Sequence, residues 1–77
     1  MIGKTAHELQ AMIMDHLRGN SVCAALTGVV VSPAGDDGEW RVSATVRHGE
    51  SLPSDCDRAR IAIAVQLRRD YFLLTDA

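Results

Sequence analysis

Aromatic residues are scarce: Trp40, Tyr71 and Phe72 are the only three in the 77-residue chain. The core must therefore be assembled from Val, Ile, Leu, Met and Ala. Basic clusters are missing as well. Two basic residues precede Glu39, and the six that follow, all arginines, are matched by six acidic residues, for a net charge of −2. That balance lacks the basic excess of a duplex-binding protein and the Lys/Arg run that marks a membrane surface. Long apolar runs are absent, which argues against a transmembrane helix. It also argues against a secretory leader, which needs a continuous apolar stretch and a small-residue cleavage site. The cytoplasm is the expected location. Cys23 and Cys56 are too few for a disulfide scaffold, and in a reducing compartment both are expected to be free thiols.

Chemical motifs are equally thin. There is no nucleophile elbow, phosphate-cradling glycine loop or paired-carboxylate motif. Asp36 and Asp37 sit between glycines without the spaced oxygens of a calcium loop, and read as turn residues. The expectation is a non-enzymatic protein with no catalytic residue, no metal and no cofactor.

What is present is enough apolar residue, 47% of the chain, to form one core. The length suits a single domain, residues 1–77. Domains this small bury only about 60% of the surface their unfolded chains expose. They commonly need a disulfide, a metal or a partner subunit for stability.

Thr5 and Glu8 form a capping-box pattern that opens a first helix. Ala6, Leu9, Met12, Ile13, His16 and Leu17 then share one arc at helical spacing. Gly19-Asn20 can supply the left-handed residue that ends it. From Val22 to Ser32 the chain turns to β-branched residues with apolar side chains at both parities, which predicts a strand covered on both faces. After the turn chemistry of Pro33–Gly38, Trp40, Val42, Ala44 and Val46 alternate with Arg41, Ser43, Thr45 and Arg47. This predicts a half-buried second strand and an antiparallel hairpin. Ser54 and Asp57 repeat the capping pattern before a second helix. Ile61–Leu67 alternates as a strand would, but its alanines and preceding cap favour helix. The pattern continues to Leu74.

The expected fold is α+β, with order helix–strand–strand–helix (αββα) and both helices on one face of the hairpin. The last helix then carries two apolar stripes, Ile61, Val65 and Phe72 on one side and Ile63, Leu67, Tyr71 and Leu74 on the other. One stripe is surplus, and a two-stranded sheet has open edges. A homodimer is therefore expected. Its candidate interface is the stripe of Ile63, Leu67 and Leu74, or the sheet face carrying Val29 and Val31.

Several features, namely Glu8-Leu9 and Ile13 in the first helix, Gly28-Val29 before a Pro turn, Trp40 opening the second strand and Leu67…Tyr71-Phe72-Leu73 at the end, make the chain resemble a group of small uncharacterised bacterial proteins. That resemblance implies a fold and a size, with no activity to carry over. The element order also resembles double-stranded-RNA-binding domains. Those have a third strand and a lysine cluster at the start of the last helix, where Ser54-Asp-Cys-Asp-Arg58 is acidic.

Among chemical candidates, Cys56 lies in a first helical turn, where the dipole favours a thiolate and flanking Asp55 and Asp57 oppose it. A thiol-based switch there is one alternative function. Cys23, among Val22, Ala24 and Ala25, reads as a small core residue. His7 and His16 fall on opposite sides of the first helix, His16 as a half-buried residue, and His48 starts a turn. Arg41 and Arg47 on one strand face could meet phosphate, which makes a nucleic-acid accessory role the other alternative. The leading expectation is a self-associating protein–protein interaction module, open to a further protein partner and without membrane contact.

Overall fold

A computed structural model of the chain describes residues 1–35 and 38–74. The elements run β1 (Ile2–Lys4), α1 (Ala6–Arg18), a 3-10 turn (Ser21–Cys23), β2 (Leu26–Pro33), β3 (Trp40–Val46), α2 (Ser54–Asp70) and β4 (Tyr71–Leu73). The fold is mixed α+β, with two helices and a two-stranded antiparallel hairpin. The bare αββα order is corrected by two short strands, β1 and β4, which pair in parallel as a second sheet. The turn residues Asp36 and Asp37 lie outside the described residues.

At the start of α1, Thr5 Oγ1 accepts from the Glu8 N–H and Glu8 Oε1 accepts from the Thr5 N–H, each at 3.1 Å. The capping box read in the sequence is therefore formed, and Leu9, Ile13 and Leu17 are buried along the inward face. His16, expected half-buried, is exposed. The helix end also differs from expectation. Gly19 has φ −83°, in the right-handed region. The chain leaves through Asn20, whose Oδ1 accepts from the Val22 N–H at 3.3 Å and starts the 3-10 turn. That turn takes up residues expected to begin the strand.

In the hairpin, Val29 pairs with Ala44, Val31 with Val42 and Pro33 with Trp40. Trp40 is 2% exposed, Val42 is buried, and Ala44 and Val46 are half-buried, so the alternating face points into the core as expected. On β2, Val29 and Val31 join that core while Val30 is exposed. The strand is thus covered on one face only, because successive side chains alternate across a sheet.

The hairpin's edges are engaged in part by helix side chains. Residues paired as Val31–Val42 and Pro33–Trp40 turn polar backbone groups outward, as alternate pairs of an antiparallel ladder do. On the β2 side the Val31 N–H donates to Gln10 Oε1 of α1 at 3.0 Å. On the β3 side Arg60 Nη1 donates to the Val42 carbonyl at 2.7 Å and Arg68 Nε to the Trp40 carbonyl at 2.9 Å. Helix side chains thus blunt the edges that the sequence reading left open.

α2 settles the ambiguous Ile61–Leu67 segment as helix. Its N-cap is Pro53, with no side-chain cap bond. The expected Ser54–Asp57 cap does not form, because Ser54 already lies inside the helix and Asp57 instead accepts from Arg60 Nη2 at 2.6 Å and Nε at 3.1 Å. Cys56, Ala64 and Leu67 are buried, with Ala59 and Ile63 packed beside them. The helix stops at Asp70 and Tyr71 is extended, so Tyr71 and Phe72 belong to β4.

β4 ties the chain ends to the hairpin. It pairs with β1 as Ile2–Tyr71, Gly3–Phe72 and Lys4–Leu73. The Leu73 N–H donates to the Gly38 carbonyl at 2.9 Å, and Trp40 Nε1 donates to the Tyr71 carbonyl at 3.3 Å. Gly3 lets the Leu74 and Phe72 side chains lie close over β1: an added Cβ would stand 2.6 Å from Leu74 Cδ2 and 2.8 Å from Phe72 Cζ, and those side chains would have to shift.

Candidate functional site

The cysteines are paired and not free. Cys23 and Cys56 are joined as a disulfide, 33 residues apart in sequence and 5.1 Å between Cα atoms. The 3-10 turn carries one sulfur and the first turn of α2 the other, and both residues belong to the buried cluster. The free thiols expected from the sequence are absent, and with them the free first-turn thiolate on which a switch at Cys56 would depend. The pairing also supplies one of the supports that a domain of this size needs.

The disulfide fixes the rotation of α2. With Cys56 held inward, positions 59, 60, 63, 64 and 67 follow at helical spacing. Leu67 is therefore a core residue and Ile63 packs against the core. Val29 and Val31 are core residues as well, so of the five candidate interface residues only Leu74 is exposed. The outward stripe is the opposite one: Ile61 and Val65 are 48% and 44% exposed. Ala62 lies beside them, and Arg58 and Arg69, both exposed, bound the stripe.

Arg41 and Arg47 are not brought together. They stand six positions apart, roughly 20 Å at the usual rise. Arg41 is exposed on the outer sheet face with Ser43 and Thr45. Arg47 lies just past the end of β3, where Nη2 donates to the Ala24 carbonyl at 2.8 Å and Nε lies 3.9 Å from Glu50 Oε2. His7, His16 and His48 are all exposed and occupy separate elements or ends of elements. Among the described residues no group of three or more His, Cys, Asp or Glu side chains is placed to hold a metal ion. No helix among them is long and apolar enough to cross a membrane.

Two open clefts mark the surface. One, of about 600 Å³, lies at the turn end of the hairpin beside Trp40, Arg68, Tyr71 and Phe72. Two arginines line it, Arg41 and Arg68; Arg68 is committed to the fold, with its guanidinium 5.3 Å from the Trp40 ring and Nε bonded to the Trp40 carbonyl. The other, of about 490 Å³, lies between the end of α1 and β2, lined by Met14, Leu17, Arg18, Cys23, Leu26 and Thr27 among others. Neither assembles a nucleophile with a base. Among the described residues the carboxyl displaced from its ordinary range is Glu8, lowered chiefly by the bond from the Thr5 backbone N–H and next by the Thr5 side chain. That is a helix cap and no part of a reactive site.

No protein-family model matches the chain. No curated protein and no solved structure matches it either.

Proposed function

We propose that this chain is a non-enzymatic protein-interaction module that pairs with a second copy of itself through the outer face of α2. The observation that carries the proposal is the exposure of Ile61 and Val65, one turn apart on a helix whose opposite face is engaged by the core. An apolar centre with a charged rim is the usual anatomy of a contact surface. Antiparallel pairing about the midpoint of the stripe sets Ile61 of one copy against Val65 of the other, and a two-fold axis repeats that contact. The partly engaged hairpin edges argue for helix pairing over strand pairing. The Cys23–Cys56 pairing supports an oxidising compartment over the cytoplasm expected from composition, because disulfides persist where thiols are not kept reduced.

Sedimentation equilibrium at micromolar concentration tests the pairing. The unaltered chain is expected to show twice its own mass, and Val65→Glu to return the monomer mass with its Tm nearly unchanged, since the side chain faces outward. A monomer mass for the unaltered chain would overturn the proposal. Nucleic acid is expected to show only weak, salt-sensitive binding, because few arginines can meet phosphate together.

A further inference from the structure

We infer that the Cys23–Cys56 disulfide is a directional site of thiol–disulfide exchange, at which a low-molecular-weight thiol becomes attached to Cys23 and Cys56 departs as the thiolate. Two independent features give the direction. The first is access. Cys23 lines the 490 Å³ cleft between α1 and β2, and Cys56 does not. Cys23 is 7% exposed and Cys56 0%. Arg18 lines the same cleft, its guanidinium 3.7 Å from Asp15 Oδ1, so the mouth is polar and open to a charged thiol.

The second feature is the leaving group. Cys56 lies in the first turn of a 17-residue helix whose N-cap makes no side-chain bond. Burial in the core opposes negative charge developing on the departing sulfur, while the first-turn N–H groups and the helix dipole stabilise it. Asp55 and Asp57 act against this, but Asp57 is engaged by Arg60 at 2.6 Å and Asp55 is exposed to screening by water. Cys23 lies in a three-residue 3-10 turn, which has no comparable dipole. A sulfur leaves faster where its developing charge is stabilised, so the helix start and the access from the cleft select the same sulfur for attack.

The exchange runs in two steps. A thiolate attacks Cys23 Sγ, the Cys23–Cys56 bond breaks, and its electron pair passes to Cys56 Sγ, which then takes a proton from water. A second thiolate attacks the outer sulfur of the mixed disulfide on Cys23. This releases the external disulfide and leaves the Cys23 thiolate to be protonated. Two external thiols are oxidised and one protein disulfide is reduced. The first step also frees the start of α2 from the 3-10 turn.

The test uses the oxidised, unaltered protein with glutathione under native conditions, followed by rapid acid quench, alkylation of free thiols and peptide mass mapping. Glutathione is expected on the Cys23 peptide and the alkyl group on the Cys56 peptide, with the reverse pattern rarer by roughly tenfold. Glutathione on Cys56 to an equal or greater extent would overturn the inference. So would the absence of any mixed disulfide until denaturant unfolds the chain.

Discussion

Trp40 shows how much one side chain holds in this fold. Its ring is buried in the core, its Nε1 anchors β4 through Tyr71, and Arg68 lies against its face. Trp40→Ala is expected to lower the unfolding free energy by about 3–5 kcal/mol, the range for large aromatic truncations, as read by urea denaturation. Alternation along β3 made that burial legible, and the capping box at Thr5 and Glu8 was legible for the same reason: both are local patterns. The cap also sets a pH dependence. Glu8 is held below its ordinary value of 4.5 by Thr5. A depressed carboxyl stabilises the fold above its unfolded pKa, and that contribution is lost as pH falls through the folded one. Stability should therefore decline below about pH 4.5 in a way that Glu8→Gln removes, measured by thermal melts across that range. His16 was misread at this scale, since a residue at the border of a helical arc can turn to solvent without disturbing the pattern.

Among the elements, α2 forms where its capping pattern and alanines predict, but it ends at Asp70 instead of running to Leu74 and turns its other stripe inward. Its two stripes were visible in the sequence, but large residues alone could not say which one faced inward. The choice was made by small residues, Cys56 and Ala64, and by the bonds of Arg60 and Arg68 to β3. Arg60 is the sharper test, because it joins Asp57 to the Val42 carbonyl from a half-buried position. Arg60→Ala is expected to cost roughly 1–2 kcal/mol, allowing for the partial exposure of Asp57, with the loss seen first as faster amide exchange at the start of α2. Leu67→Glu, which a surface role would tolerate, is expected to unfold the chain. β1 and β4 could not be read from sequence. Each has three residues, and their parallel pairing joins opposite ends of the chain, a contact with no local signature.

For the molecule as a whole, the disulfide changes the stability argument. Closing a loop across 33 residues stabilises a fold by about 3–4 kcal/mol in the chain-entropy account. The Cys23→Ala, Cys56→Ala double variant is expected to melt roughly 15 °C or more below the oxidised chain, as followed by circular dichroism. The sequence offered two cysteines without a spacing that announces a pair, since their approach depends on how α2 packs against the 3-10 turn. With that support present, self-association is not required to keep a single copy folded, and the case for it rests on the exposed stripe alone. Isotope-filtered NOE spectroscopy on an equimolar mixture of labelled and unlabelled chains tests this claim most directly. Intermolecular contacts are predicted between the methyl groups of Ile61 and Val65 across a two-fold axis. An absence of intermolecular contacts, or contacts confined to Val30 and the outer sheet face, would contradict pairing through α2.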